Sequence, residues 1–203
     1  MAYRGDPVRL LVIPGLHDSP PEHWQSWLQQ QFKRSVRVQQ DDWAVPDLDR
    51  WTDRIEDTLA AEPASAWVAV AHSFGCLALV HHLQRRQATG PHARSGVQAA
   101  LLVAPAEPEK FGLAARLPQH PLALPTCLVG SETDPWMRLD SARDWARRWG
   151  CHFINLGDVG HVNVDSGFGP LPQAKTLAQL LVHQVERSRR PQRAHPLEFS
   201  FAV

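Results

Sequence analysis

Three residues far apart in the chain, Ser73, Asp134 and His161, are of the types that together make a hydroxyl reactive. A serine hydroxyl is a poor nucleophile near neutral pH and needs a base to take its proton. Imidazole titrates near the working pH, so His161 can be that base. A carboxylate on the far side of the ring fixes the tautomer and stabilises the imidazolium, a part open to Asp134. Charge developing on an attacked carbonyl oxygen then calls for backbone N–H donors. The amide of Phe74, first after the serine, is one, and the amide of Leu16 or His17 is the other. Each donor of this kind is worth about 2.7–4 kcal/mol in the transition state. His17, His72 and Trp136 are the candidates for contact with substrate, with His17 and His72 read as site-lining or structural rather than catalytic.

Each residue has a plainer role to set beside the chemical one. Serine before a helix is commonly an N-cap, so Ser73 could serve the helix alone. The chain has eleven histidines, and one of them in a loop needs no special reason. Asp134 could cap the helix after Pro135, and Glu132, Asp140 or Asp158 could be the acid instead. His81 and His82 are read as surface or packing residues, and Asp41-Asp42 as a solvated pair. No cluster has metal-ligand spacing, so neither a metal nor a cofactor is expected.

The elements around these residues decide between the two roles. Trp67-Val68-Ala69-Val70-Ala71 is an apolar run, His72-Ser73-Phe74-Gly75 is a small-residue turn, and an amphipathic segment to about residue 87 follows. Strand, sharp turn with serine, then helix is the context in which a G-x-S-x-G match carries meaning. Such a turn strains the serine backbone and lifts its hydroxyl off the sheet edge, with the helix N-terminus beside it. Gly75 is required where the helix passes close to the neighbouring strand. Ala71 stands where the first glycine of the pattern would be, which predicts a tighter turn.

Apolar runs at 8–13, 97–104 and 126–129 read as strands buried on both faces, with shorter candidates at 36–38 and 152–156. Helices are expected over 22–32, from an N-cap at Asp47 to about residue 59, over 139–149 and over 173–186. In the last of these Leu177, Leu180, Leu181 and Val185 are expected to face inward. The irregular, proline-rich segment 106–125 reads as a short lid or excursion near the site. Alternating strands and helices without period-two polarity predict a parallel sheet covered on both faces, a three-layer α/β/α domain over 1–187. An arginine-rich tail, 188–203, is expected to follow. Ligands of such sheets sit beyond the carboxyl ends of the strands. Ser73, Asp134, His161 and the Gly15-Leu16 turn all follow directly after expected strands, so all four converge on one edge.

Lysine plus arginine equals aspartate plus glutamate, 21 each, so no bulk field favours nucleic acid or an anionic membrane. Arg187, Arg189, Arg190 and Arg193 are read as a solvated end rather than a nucleic-acid contact. Three widely spaced cysteines, Cys76, Cys127 and Cys151, form no disulfide framework, which suits a reducing cytoplasm. No secretory signal and no membrane-spanning run is evident.

Ile13-Pro14-Gly15 with Trp24 and Trp27 downstream, Asp42-Trp43 with Pro46, Ala71-His72-Ser73-Phe74-Gly75, Ser131-Glu132-Thr133-Asp134-Pro135-Trp136 and Gly160-His161-Val162-Asn163 occur in that order. In this combination the chain resembles, from about Leu11 to Glu186, the small α/β-hydrolases of the retinoblastoma-binding protein nine and YdeN type. The chain order serine, aspartate, histidine is also that of α/β-hydrolases. The resemblance implies an α/β-hydrolase fold with a minimal lid and a triad of Ser73, Asp134 and His161. It leaves the substrate open: esterase or aminopeptidase-like activity is suggested for some members and protein binding for others.

The expected activity is therefore hydrolysis of small carboxylic esters through an acyl-enzyme. Amide or peptide cleavage by the same triad is the alternative, and a protein-binding module on a hydrolase scaffold is the rival from another class. The expected partner is a small ester or amide substrate, with no nucleic acid or membrane and no protein partner specifically indicated.

Overall fold

The computed structural model describes residues 8–62, 66–88 and 96–193. Six parallel strands form one sheet: β1 (Arg9–Ile13), β2 (Ser35–Arg37), β3 (Trp67–Ser73), β4 (Val97–Pro105), β5 (Thr126–Gly130) and β6 (His152–Asn155). Their spatial order is β2-β1-β3-β4-β5-β6, which places β3 and β4 at the centre. Every neighbouring pair is parallel, so every connection is a crossover and the helices must cover both faces.

The alternation of side chains along β1 shows how the two faces divide. Leu11 and Ile13 join one core, with α2 (Leu48–Ala61), α3 (Phe74–Ala88) and α4 (Leu139–Trp149) packed over it. Leu10 and Val12 join the other, covered by α1 (Trp24–Gln31) and α5 (Pro172–Arg193). Trp24, Trp51, Trp67 and Trp149 are fully buried between helix and sheet. The fold is thus the expected three-layer α/β/α arrangement.

Local signals placed most boundaries. Asp47 caps α2, its carboxylate accepting from the amides of Asp49 and Arg50. Leu48, Trp51 and Ile55 form the buried stripe of that helix. Gly150 ends α4 in the left-handed conformation, φ 67°.

Two expectations about α5 need correction. The helix runs on through Arg193, beyond the expected end at residue 186, so the first residues of the expected arginine-rich tail, 188–193, are helical. The rest of the expected tail lies outside the described residues. Leu180 is 60% exposed, while Ala174 and Ala178 are buried beside Leu181 and Val185. The inward stripe includes two alanines because α5 packs closely on the sheet, and small side chains permit that approach.

The segment after β4 is an excursion of two 3₁₀ turns, Pro108–Phe111 and Ala114–Arg116. It returns at β5 without forming a separate cap domain.

Candidate active site

The turn from β3 into α3 has no intervening residue: Ser73 ends the strand and Phe74 begins the helix. Ser73 takes up the bend alone, with φ 53°, a conformation in which an L-residue is strained. Ala71 lies below the bend, in regular register with Ile13 of β1 and Leu102 of β4. It needs no glycine there, so the substitution does not tighten the turn. The glycine requirement falls elsewhere. A Cβ on Gly75 would lie 2.2 Å from the Pro14 carbonyl oxygen, and one on Gly15 would lie 2.6 Å from Ser73 Cβ. Two backbones and the serine side chain meet in a space that excludes a methyl group.

The loops after β5 and β6 bring in the other two residues. Their ends are zipped together: Glu132 N–H and Ser131 Oγ both donate to the Gly157 carbonyl, and the Val159 amide donates back to Ser131 Oγ. Thr133 Oγ1 accepts from the Gly160 amide and donates to Asp158. Asp134 and His161 face each other across this seam. His161 Nδ1–H donates to both carboxylate oxygens of Asp134, at 2.9 and 3.0 Å. Its Nε2 lies 2.9 Å from Ser73 Oγ and accepts the hydroxyl proton. The Asp134 and His161 side chains are only 2% and 7% exposed, which strengthens these polar contacts. Asp134 Oδ1 also accepts from the Trp136 amide at 2.8 Å, holding the carboxylate in place.

The competing acids are engaged elsewhere. Glu132 accepts from Asn155, Asp140 pairs with Arg143, and Asp158 accepts from Thr133. Of the two amides left open for the second oxyanion donor, that of His17 already donates to the Trp43 carbonyl at 2.9 Å. Leu16 remains, next to the glycine that touches Ser73.

Above the serine lies a cavity of about 400 Å³, within the range that takes small ligands. Leu16, His17, His72, Ser73, Trp136 and His161 all border it, so the expected site residues are brought together. Phe111, from the excursion after β4, adds an apolar wall, and Asp18 and Asp165 add carboxylates. Lys110 ties the excursion to the acid loop by donating to the Pro135 carbonyl at 2.7 Å.

Several supporting residues were not among the expected site residues, although Asn163 belongs to the motif around His161. Ser166 Oγ accepts from the His161 amide, and Asn163 Oδ1 accepts from Ser166. Gln25, fully buried in α1, donates from Nε2 to the carbonyls of Ile13 and Val70 and so joins β1 to β3 below the serine. His23 borders the cavity and caps α1 through Nδ1. Burial, then Arg37 and His161, push its pKa down to about 4. None of the cysteines borders the cavity, and burial raises all three thiols, Cys151 to about 12. Among the described residues no group of three or more side chains is arranged to hold a metal ion, and no helix is long and apolar enough to cross a membrane.

Comparison with known proteins bears on the family and the fold. The sequence model of the serine hydrolase family matches residues 10–179. No curated protein matches the chain. Among solved structures, a YdeN-like hydrolase from Pectobacterium atrosepticum is 35% identical, with 87% of this chain and 91% of that one covered and a TM-score of 0.78. The YdeN protein of Bacillus subtilis is 19% identical over 85% of this chain and 97% of its own, TM-score 0.68. Esterase 2 of Thermogutta terrifontis, 14% identical, covers 89% of this chain and 84% of its own at a TM-score of 0.60. These last two speak for the fold alone.

Proposed function

The chain belongs to the serine hydrolase family, and on that premise we propose that it cleaves small carboxylic esters by acyl transfer through Ser73, His161 and Asp134. Ser73 Oγ attacks the ester carbonyl carbon while its proton passes to His161 Nε2. The negative charge that forms on the carbonyl oxygen meets the amides of Phe74 and Leu16. As the tetrahedral intermediate collapses, the bond to the alcohol oxygen breaks and His161 returns the proton to that oxygen. A water molecule then attacks the acyl-enzyme, giving its proton to His161. Collapse releases the carboxylic acid and returns the proton to Ser73. Asp134 holds the imidazole with Nδ1 protonated and balances the imidazolium at both stages.

The observation that carries this reading is the continuous chain from Ser73 Oγ through His161 to both oxygens of Asp134. A helix cap or a loop histidine has no need of it. The small, partly apolar cavity supports a short acyl group, with His17 and Trp136 at its border as contacts to substrate. The three free thiols support a reducing compartment such as the cytoplasm.

Labelling with a fluorophosphonate, beside Ser73→Ala and His161→Ala, tests the reading. Stoichiometric labelling of the wild type that both variants lose is expected, followed by turnover of acetyl and butyryl esters ahead of the matching anilides. A folded wild type that takes no label would overturn the reading, and faster turnover of the anilides would overturn the ester assignment.

A further inference from the structure

His72 precedes Ser73 on β3 and borders the cavity, yet its Nε2 is committed to the protein. Nε2 lies 3.0 Å from the main-chain carbonyl oxygen of His161. A carbonyl only accepts, so His72 carries a proton on Nε2 and donates it. The main chain of His161 depends on such anchors. Gly160 and Val162, on either side, both have left-handed backbones, with φ 57° and 50°. The His161 amide is taken by Ser166 Oγ, and no backbone amide among the described residues donates to its carbonyl.

Two links therefore run side by side between residues 72–73 and residue 161. Ser73 Oγ to His161 Nε2 spans 2.9 Å, and His72 Nε2 to His161 O spans 3.0 Å. On the triad reading the first changes at each proton transfer, and the second involves no group that takes part in the transfer. We propose that His72 is a positioning residue whose Nε2–H bond to the His161 carbonyl holds the base at its distance from Ser73 throughout the reaction. The inference rests on the triad reading above.

The surroundings of His72 suit this role. Its ring is held by the edge of Trp24, 5.8 Å away at 87°, and by His23 at 5.0 Å, so the donor is fixed in direction. Burial holds His72 well below the usual imidazole pKa, and His23 falls to about 4. Both rings stay neutral at neutral pH, and no cation from them opposes the imidazolium forming on His161, whose ring is 4.9 Å from His72.

A positioning role differs measurably from substrate contact and from packing. Displacing a catalytic group by a fraction of an ångström lowers kcat, loss of a substrate contact raises KM, and loss of packing lowers the melting temperature. His72→Phe keeps a ring and removes the donor. His72→Gln places an amide nitrogen the same number of bonds from Cβ as the imidazole Nε2, and His72→Asn places one short of it. On p-nitrophenyl acetate, His72→Phe is expected to lose roughly 10- to 100-fold in kcat with KM changed less than about threefold. His72→Gln is expected to recover most of that loss at a similar melting temperature. Should His72→Phe fail to fold, the comparison of His72→Gln with His72→Asn decides, with the glutamine variant expected to be at least about tenfold faster. A kcat for His72→Phe within twofold of wild type, an effect confined to KM, or a glutamine variant no faster than the asparagine one would overturn the inference while fluorophosphonate still labels the wild type. A wild type that takes no label overturns the triad reading and this inference together.

Discussion

Gly15 lies directly against Ser73: a Cβ at position 15 would sit 2.6 Å from Ser73 Cβ and 3.3 Å from its Oγ. The end of β1 and the end of β3 thus share one corner, and Leu16 and Ser73 border the same cavity. Gly15→Ala must move Ser73 Cβ, which is fixed to the strand backbone, and the His72 carbonyl oxygen also lies 3.2 Å from the added atom. Its rate of fluorophosphonate labelling is expected to fall at least about tenfold, together with a lower urea midpoint. Gly75→Ala meets backbone instead, with the Pro14 and Ile13 carbonyl oxygens 2.2 and 2.8 Å from the added Cβ. That variant is expected to lose about 1–3 kcal/mol of stability or more, read by urea unfolding.

Asp134→Asn keeps the shape of the site and exchanges one acceptor for a donor. Oδ1 accepts from the Trp136 amide, so the asparagine oxygen stays there, 2.9 Å from His161 Nδ1, and an NH₂ replaces the second carboxylate oxygen at 3.0 Å. The NH₂ competes to donate to Nδ1, which favours the tautomer with the proton on Nε2, and the neutral amide no longer balances the imidazolium. A fall of roughly 10⁴ in kcat is expected, with an unchanged melting temperature. A loss under about tenfold would show that Asp134 does not set the tautomer.

Ala71 marks the departure from the glycine pattern at the elbow, and the structure places it inside a regular strand. Ala71→Gly is expected to cost about 0.5–1 kcal/mol by loosening that strand, without faster labelling. Denaturant melts and labelling rates on the same preparation would check both halves.

Phe111 closes the apolar side of the cavity, its ring 5.2 Å from that of Phe74. Phe111→Ala is expected to shift preference toward longer acyl chains, raising kcat/KM for octanoyl relative to acetyl esters about tenfold or more. An unchanged ratio would place the acyl group elsewhere in the cavity.

Acid is expected to weaken the fold through its buried histidines. His82 lies between α2 and α3, 1% exposed, with no hydrogen bond to either ring nitrogen. Glu56 is 3.5 Å from Nδ1, but burial dominates, aided by Arg86, Arg85 and His81, and the pKa falls from 6.5 to about 4. On acidification the unfolded chain takes its proton first, so stability is present above about pH 6.5 and is lost as the pH falls toward about 4. A shift of that size corresponds to on the order of 3 kcal/mol for His82. His82→Met is expected to flatten the urea midpoint between pH 7 and 4.5. His23 contributes a parallel slope in both proteins.

Much of this molecule was written locally. Apolar runs without alternation meant buried parallel strands, Asp47 meant a helix start, and the serine between strand and helix meant an elbow. The convergence of Ser73, Asp134, His161 and Leu16 followed from topology, because loops after parallel strands share one edge. Strand and helix are short-range properties of the chain, and residue type and spacing carry them.

Contacts between distant residues were decided only in three dimensions. Four carboxylates competed for the role beside His161, and the seam between the β5 and β6 loops selected Asp134. Leu16 rather than His17 kept its amide because Trp43, across a loop, took the other. Leu180 matched the periodicity of an inward face, but α5 turned it to solvent and set alanines against the sheet. His72 found its acceptor 89 residues away, on the backbone of His161. A sequence specifies which groups can donate, accept or titrate. Which of them meet depends on packing, since a hydrogen bond is decided by tenths of an ångström that no local pattern encodes.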